Sequence, residues 1–557
     1  MKKKIRVCVA LLLVIALAVS VALALTACGN GGGDSSGTNV QEEGVDEADV
    51  VKVNGDGYIF KAQTDGVTVS RLNADGAVEV VRKSKAGLDF TPREMFLHGD
   101  KYLVVIGYKT VVADDEANGY YTRPSYDEMI VRVYDLEASA AGDEVVCLRS
   151  DEFRGAYKTS RMIDGKLYLL TNYNSGYDKA YVDFFFGKIK FDVSDGNGNG
   201  FLIAGLDLND ARGRYKTGLY AGSVYEVYCS PYALYALRSK RIGRGCNYIT
   251  ATDIDKISLD TLKKVKTVTD LRGYAQDRFC LSDNGETLFA ACWVAGTMDV
   301  KNADPRGSYL YSFDKDLNRQ AKLGPIAPGE QLKSARFDGD TCYIVTYRQV
   351  DPLYKIDISD PAAPKITGEL KIDGYSAYMQ AFGDGLLIGV GYGESGGSLK
   401  VTLFQTGAGY PDEVNSLVWE ATDSAARTDP RAILCEPDNN LFALPAGTRG
   451  YKYYDRNAGA YVNTVKKQGA YVLGIKDGEL AELAFLTDLE ENFKDSISNG
   501  RKTVARIARI GNYLLTISDG DITPYAFVTE GGVPVIDPEP VGRFSTRIVE
   551  DVFTVSF

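Results

Sequence analysis

Residues 338–372 read D-G-D-T-C-Y-I-V-T-Y-R-Q-V-D-P-L-Y-K-I-D-I-S-D-P-A-A-P-K-I-T-G-E-L-K-I and contain one complete repeat of the chain. The repeat begins with the polar turn Asp338-Gly339-Asp340, which precedes the apolar run Cys342-Tyr343-Ile344-Val345. The segment 353–358 then alternates apolar and polar residues, and 365–372 is more polar. Short alternating runs separated by Gly/Asp turns are typical of antiparallel β-strands.

The same pattern, a short turn followed by an apolar and aromatic run, occurs in nine units. Their turns are Asn54-Gly55-Asp56-Gly57, His98-Gly99-Asp100-Lys101, Asp164-Gly165-Lys166, Ser230-Pro231-Tyr232, Asp283-Asn284-Gly285-Glu286, Asp338-Gly339-Asp340, Gly383-Asp384-Gly385, Asp438-Asn439-Asn440 and Ile510-Gly511-Asn512. Repeats of roughly 40–70 residues built from three or four strands indicate the blades of a β-propeller. The sequence therefore predicts an all-β β-propeller in residues 40–557.

The number of blades does not follow directly from the number of units, because nine units exceed the usual range of about 4–8 blades. We predict eight blades, with the first and last units sharing one. Segments 50–60 and 504–516 are then the strands that close the ring. In the alternative, one unit is an insertion, and the irregular segment 173–206 is the one that would fit.

The N-terminus has the pattern of an export signal. The basic start Lys2-Lys3-Lys4-Ile5-Arg6 precedes an apolar run over 7–25, and Leu25-Thr26-Ala27-Cys28 follows. We predict a signal peptide over 1–27. Leu-Thr-Ala-Cys looks like the lipobox of bacterial lipoproteins, and this resemblance implies that Cys28 carries a diacylglycerol and an N-terminal acyl chain such as palmitate. The alternatives are an ordinary signal peptide or an uncleaved membrane helix.

Residues 28–39 are rich in Gly, Asn and Ser and read as a flexible tether after the lipidated cysteine. Two acyl chains anchor a protein stably to a membrane. Every alternative for the N-terminus places the body outside the cytoplasm. We therefore expect an extracytoplasmic protein that is anchored to the cell membrane by an N-terminal lipid.

Composition excludes several classes of function. The chain has a net charge of −12, and removal of Lys2, Lys3, Lys4 and Arg6 makes it −16. Such an acidic body repels phosphate backbones, so we expect no nucleic-acid partner. One histidine, His98, excludes the common His-rich metal sites. The cysteines contain no C-x-x-C pair, and Cys280 with Cys292 is the pair best placed for a disulfide.

Two long motifs carry a resemblance to a known family. Residues 38–60 read T-N-V-Q-E-E-G-V-D-E-A-D-V-V-K-V-N-G-D-G-Y-I-F, and residues 343–375 contain the two Asp-Pro turns of the quoted repeat. Both resemble the bacterial and archaeal family of secreted β-propeller-domain proteins that are distantly related to WD-40 proteins. The resemblance implies the fold and export. It implies no activity and no catalytic residue.

One loop is a candidate calcium site. Residues Asp195, Asn197 and Asn199 match the first half of a calcium loop, with oxygen ligands at alternate positions and glycines between them. Ile203 and Leu206 occupy the positions where later acidic ligands would be expected. The alternative is a Gly/Asn-rich hairpin turn without an ion. Calcium is the one cofactor that the sequence suggests.

Two further groups are candidate binding residues. The carboxylates Asp46, Glu47 and Asp49 precede the first strand and can either bind a cation or dock into the ring. The alternative is a hydrogen-bonded strand that caps the ends of the blades. The second group is the tyrosine cluster Tyr451, Tyr453 and Tyr454. Exposed tyrosines provide contact area and a polar tip at low entropic cost.

The sequence contains no complete catalytic signature, so it favours a function in binding. We predict a membrane-tethered module that binds a protein, peptide or glycan of the envelope, or a scaffold. The alternative is an extracytoplasmic hydrolase or lyase that uses carboxylates in the central channel. Propellers support both kinds of function, so the fold does not decide between them.

Overall fold

The computed structural model describes residues 35–548, apart from 85–87, 113–124, 175–179, 185–186, 192–198, 245–246, 296–303, 348–350, 384, 395, 408–410, 456–459, 488–493 and 496–502. Within these residues the chain forms nine antiparallel sheets. Each sheet is one blade, and the blades are numbered 1 to 9 in chain order. None of the described helices is long and apolar enough to cross a membrane.

The strands are given with the innermost strand of each blade first. Blade 1 contains Val51–Val53, Tyr58–Gln63, Gly66–Leu72 and Val78–Lys83. Blade 2 contains Thr91–His98, Tyr102–Val112, Ser125–Asp135 and Val146–Arg154, extended by Ala180–Phe184 and Gly187–Phe191. Blade 3 contains Ala156–Ile163, Lys166–Asn174, Asn199–Asp207 and Lys216–Ala221, with Asp46–Glu47 paired to its innermost strand. Blade 4 contains Glu226–Cys229, Leu234–Arg244, Asn247–Ile257 and Lys264–Arg272.

Blade 5 contains Leu281–Asp283, Thr287–Val294, Gly307–Asp314 and Arg319–Ile326. Blade 6 contains Gln331–Asp338, Thr341–Tyr347, Asp351–Asp357 and Lys365–Ile372, and blade 7 contains Tyr375–Ala381, Leu386–Tyr392, Leu399–Gln405 and Asp412–Trp419. Blade 8 contains Leu434–Glu436 with Thr422–Asp423, then Leu441–Asp455, Ala460–Lys476 with Lys494–Asp495, and Glu479–Leu486. Blade 9 contains Arg506–Ile510, Tyr513–Ile517, Asp521–Glu530 and Val533–Ile536, with Phe544–Ser545. Short 3-10 helices are Ala138–Ala141, Leu208–Asp210, Arg278–Cys280, Ala425–Arg427, Pro430–Ala432 and Pro437–Asn439.

The apolar runs of the sequence are the second strands of the blades, and they are buried on both sides. In blade 6, Cys342 and Ile344 belong to the core shared with blade 5. The alternating residues Tyr343 and Val345 belong to the core shared with blade 7. Because successive side chains of a strand point to opposite faces, a strand between two neighbouring blades must be apolar at every position.

The β-propeller architecture is confirmed, but the prediction of eight blades is wrong, because the first and last units form separate four-stranded sheets. Blade 1 instead packs face to face on blade 9, and Ile59 and Leu72 share a core with Leu515 and Ile522. The C-terminal segment completes the contact, since Thr546 accepts hydrogen bonds from Lys61 and donates to Gln63. The ring therefore closes through an interface between two whole blades.

Two smaller features of the fold differ from simple repetition. The hairpin 180–191 is inserted between the second and third strands of blade 3, and it extends the outer edge of blade 2, where Val182 pairs with Phe153. This insertion explains why the third unit is irregular in sequence. Cys280 and Cys292 are free, buried thiols, so the disulfide suggested for them does not form.

In every blade the chain passes from the innermost strand, at the channel, to the outermost strand. All innermost strands therefore begin at the same face of the ring and end at the other face. We call these the start face and the turn face, because the first hairpin turn of each blade lies at the end of its innermost strand. The described chain begins at the turn face, where Ser35 pairs with Ile510, the last residue of the innermost strand of blade 9. Segment 35–49 then lies in the central channel.

Along this segment, hydrogen bonds join the chain to seven other blades or the connections leading into them. The Ser36 backbone N–H donates to Arg509 O of blade 9 at 2.9 Å. Asn39 donates to Tyr378 of blade 7 and to Pro430 O before blade 8, Gln41 to Arg278 O before blade 5, and Tyr228 of blade 4 donates to Glu42. Residues 46–47 pair with blade 3, and Asp49 pairs with Met95 of blade 2. The segment therefore fills the channel and ties the blades together.

Ion pairs also join the channel segment to the ring. Glu47 is 2% exposed and lies 2.5 Å from the Arg278 guanidinium and 3.9 Å from that of Arg161. Burial by itself would raise the pKa of Glu47, but the charges of Arg161 and Arg278 hold it below its usual value. Asp49 is 2.7 Å from Arg506. A buried ion pair leaves an uncompensated charge when one partner is removed.

We predict that Glu47→Ala lowers the free energy of unfolding by about 3–5 kcal/mol, because it leaves the Arg278 and Arg161 guanidinium groups buried without their carboxylate. Chemical unfolding followed by fluorescence measures this. Glu43→Ala is the matched control, because Glu43 is an exposed glutamate on the same segment, and we expect its effect to stay within about 0.5 kcal/mol. Equal unfolding midpoints for the two variants would contradict the role given to the channel ion pairs.

Glu42, on the same segment, makes the stability of the folded state depend on pH. Burial raises the pKa of Glu42 from 4.5 to about 7, although the Tyr228 hydroxyl and the charge of Arg336 oppose the shift. The folded state therefore prefers the neutral carboxyl, so the stability it contributes is complete below pH 4.5 and is lost as the pH rises through 7. We predict that wild type loses stability relative to Glu42→Gln between about pH 5 and 8. Parallel curves of melting temperature against pH would contradict this.

Candidate functional site

Several residues that the sequence singled out lie outside the described part of the chain. These are Cys28, the predicted site of lipidation, and the calcium candidates Asp195 and Asn197. Asn199 begins the third strand of blade 3. Among the described residues, no group of three or more His, Cys, Asp or Glu side chains is arranged to hold a metal ion.

The three N-terminal carboxylates all lie in the channel segment. Asp46 is 2.7 Å from Lys52, which also donates to Thr38 and to the backbone of Glu47. Glu47 and Asp49 make the arginine contacts described above. In this structure the three carboxylates contact cations of the protein itself, and they join residues 38–52 to the innermost strands.

The tyrosine cluster lies on a hairpin at the start face. Tyr451, Tyr453 and Tyr454 belong to the second strand of blade 8, in the part that pairs with residues 461–463 of the third strand. These two strands are the longest of the described ring, at 15 and 17 residues. The backbone thus places all three positions near the outer end of a hairpin that projects from the start face.

A cavity of about 540 Å³ opens at the same face, at the mouth of the channel between blades 4 and 8. Its walls are the beginnings of the innermost strands and the connections before them, including Glu226, Asp277, Lys333, Tyr375 and Thr428. This volume is in the range of sites for small ligands, about 300–1,000 Å³. The channel is therefore open at the start face.

The floor of the cavity is shared with the channel segment. Arg278 and Arg431 line the cavity, and on their other side they contact Glu47 and the carbonyl of Ala48. Arg431 is also 2.9 Å from Glu94, so it joins blades 2 and 8 across the axis. The positions of these cavity groups therefore depend on the channel segment.

One wall carries a ladder of aromatic rings. Tyr375 and Tyr392 line the cavity and stack with their ring centroids 4.8 Å apart, and Tyr347 packs on Tyr375 from outside the lining, with centroids 5.4 Å apart. The Arg427 guanidinium lies 4.0 Å from the Tyr392 centroid and is held by four other hydrogen bonds. A Cβ at Gly391 would lie 1.7 Å from Tyr375 O, so glycine is what allows the two strands to approach at this point.

Lys333 lies beside this ladder, with Nζ 5.3 Å from the centroids of both Tyr347 and Tyr375. Its nearest polar contact is Gln331 Oε1 at 3.4 Å. It forms no ion pair with any carboxylate in the described part of the chain. Tyr347, the outermost ring, is 39% exposed. The aromatic wall thus combines ring surface with an ammonium group whose charge is not neutralised by a partner.

The lining also includes two carboxyl groups, Glu226 and Asp277, without a cation within ion-pair distance among the described residues. Burial, followed by repulsion from Glu226, raises the pKa of Asp277 from 3.8 to about 6. Asp277 also accepts a hydrogen bond from the Phe279 N–H at 2.9 Å. A third carboxylate, Asp429, is already paired with Arg431 and Arg506. Two acceptors therefore remain available to a ligand.

A second cavity of about 420 Å³ adjoins the first and shares Tyr392, Arg427 and Thr428 with it. It is also lined by residues 445–448 of blade 8, on the strand that carries the tyrosine cluster. The two cavities make one groove that begins at the channel mouth and continues over blade 8.

The sequence contained an indication of the aromatic wall that our prediction did not use. Tyr347 and Tyr392 are each the final residue of the second strand of a blade, and Trp293 is next to last in blade 5. An aromatic residue at the same point of several repeats indicates a common position at the start face. Lys333 and Asp277 have no comparable signal, because they line one cavity only once blades 5 and 6 pack side by side around the channel.

Relatives of this chain have no described activity. It is 25% identical over 508 residues to an uncharacterized protein of Methanocaldococcus jannaschii, covering 75% of each chain. It is 32% identical over 230 residues to an uncharacterized protein of Archaeoglobus fulgidus, covering 41% of this chain and 35% of that protein.

Two solved structures are similar to parts of this chain at low identity and low TM-score. One, provisionally described as a 6-phosphogluconolactonase from Bacteroides uniformis, has a TM-score of 0.33 at 14% identity and covers 62% of this chain and 94% of that chain. Sqt1 of Saccharomyces cerevisiae has a TM-score of 0.29 at 9% identity, covering 64% and 81%. The model of the family described as "Beta propeller domain" matches residues 35–185 and 186–529, and the chain belongs to that family.

Proposed function

We propose that this protein is a membrane-tethered, extracytoplasmic binding module that holds a glycan in the groove at the start face. The observation that supports binding there is the wall of Tyr375, Tyr392 and Lys333, which faces a cavity of about 540 Å³ with two carboxyl groups that form no ion pair among the described residues. A sugar ring has an apolar face that packs on aromatic rings and hydroxyl groups that hydrogen-bond to acceptors and ammonium groups. Each of these features has a partner in the cavity.

The tether is supported by the sequence alone. The basic start, the apolar run and Leu25-Thr26-Ala27-Cys28 fit a lipoprotein signal. The lipid anchor would hold the ring at the outer side of the cell membrane, where envelope glycans are present.

A second function, hydrolysis or elimination on a bound glycan, is favoured by one observation. Asp277, with its pKa raised to about 6, lies near a second carboxyl group, Glu226. A carboxyl group with a raised pKa beside a second carboxyl group is the usual arrangement of the acid and base of glycoside cleavage. Incubation of bound oligosaccharides with wild type and Asp277→Asn separates the two functions, because a binding module leaves the ligand intact in both cases.

We predict that Lys333→Ala and Tyr375→Ala each weaken glycan binding about tenfold, which corresponds to about 1.4 kcal/mol. Fluorescently labelled oligosaccharides, neutral and uronic-acid-containing, are titrated with the soluble 35–557 chain. Tyr232→Ala is the matched control, because Tyr232 is 59% exposed in a turn-face hairpin and should leave affinity unchanged. If no oligosaccharide binds saturably while peptides bind in a parallel titration, the proposal of a glycan ligand is wrong and the ligand is a peptide.

We predict that Cys28→Ala abolishes incorporation of a fatty-acid probe and leaves the chain either uncleaved at this site or shed in soluble form. The reason is that the cysteine sulfur is the atom that receives the lipid in the lipobox pattern. Metabolic labelling followed by fractionation of membranes and medium measures both effects. Equal labelling of the variant and wild type would refute the anchor.

A further inference from the structure

The N-terminal end of the described chain joins the ring at the turn face. Ser35 pairs with Ile510, and the Ser36 side chain and backbone contact Arg509. Ser36 is 6% exposed. Residues 509 and 510 end the innermost strand of blade 9, so the chain is bound to the ring at the turn face from Ser35 onward.

The free connection to a lipid on Cys28 is short. Six residues, Gly29 to Asp34, separate Cys28 from Ser35. Fully extended, seven Cα–Cα steps span at most about 25 Å. The turn face therefore cannot move far from the lipid.

This length is too small for the connection to pass around the ring. From the channel axis, it would have to cross four strands, about 14 Å, and then follow the height of a blade. The innermost strand of blade 6 has eight residues, which corresponds to about 26 Å. The path of about 40 Å exceeds the extended length of the connection.

We propose that the turn face of the ring is held toward the membrane and that the start face, with its cavities, points away from it. This inference rests on the proposed lipid at Cys28. It gives the groove access to ligands of the envelope beyond the bilayer surface, and it turns the tyrosine hairpin of blade 8 outward.

The charge on the turn face indicates that the ring surface does not adhere to the membrane. The short connection to the lipid therefore sets this orientation. Exposed aspartates of the first hairpin turns outnumber the exposed lysines there: Asp56, Asp100, Asp164, Asp338, Asp340 and Asp438 against Lys101 and Lys166. Carboxylates are repelled by anionic lipid within a Debye length of about 8–10 Å. The ring should therefore stay close to the bilayer without binding to its surface.

Energy transfer from a dye on each face to a labelled lipid headgroup tests the orientation. The full lipidated chain, with Cys147, Cys246 and Cys435 changed to serine, carries the dye at Asp340→Cys on the turn face or Glu394→Cys on the start face. Both positions are exposed acidic residues. In phosphatidylcholine vesicles, we expect transfer from position 340 to exceed that from 394 by roughly twofold or more, because about 26 Å separates the faces.

A matched control inserts about thirty Gly/Ser residues after Asp34, which should abolish the difference because the lengthened coil no longer restricts rotation of the ring. Flotation with the vesicles reports the anchor separately. Loss of flotation would overturn the lipid anchor and, with it, the orientation. Flotation with equal or reversed transfer would overturn the orientation alone, and a difference that survives the insertion would show that adhesion of the ring surface orients it.

Discussion

The ring depends on how its central channel is filled. Nine innermost strands enclose a wider central channel than the innermost strands of a smaller propeller do. More of the chain is therefore needed to fill it. Here segment 35–49 occupies the opening and contacts the innermost strands directly. Its carboxylates Glu47 and Asp49 meet Arg278, Arg161 and Arg506, which come from three different blades. A buried charge is costly without a partner, so the segment and the ring stabilise each other only when both are in place.

The same segment makes a cavity out of a channel. It closes the opening toward the turn face and leaves the start face open, so that the floor of the cavity consists of Arg278 and Arg431 with Glu47 and Ala48 behind them. Groups that line the binding site are therefore held by the chain that leads toward the N-terminus. This arrangement links the position of the candidate site and the closure of the ring in one structural element.

A β-propeller by itself is compatible with binding and with catalysis. What distinguishes the two here is the state of the polar groups. Most channel carboxylates, such as Asp429, are already paired with arginines, which makes them structural. The groups left for a ligand are Lys333 beside the aromatic ladder and the pair Glu226 and Asp277. This set provides donors, acceptors and ring surface, as recognition of a polar ligand with an apolar face requires.

By itself, the sequence determined the class of the fold, because the apolar run of each unit must be buried on both sides and the Gly/Asp turns separate short strands. Among the recurring aromatic residues Trp293, Tyr347 and Tyr392, it also contained one residue of the cavity wall, Tyr392. Only the tertiary structure decided the number of blades. The units that begin at Val51 and Arg506 look the same whether they share a sheet or pack as two, and the packing of Ile59 on Leu515 is a contact between opposite ends of the chain. The channel ion pairs were decided in the same way, because closure of a ring brings together residues whose spacing along the chain carries no periodic signal.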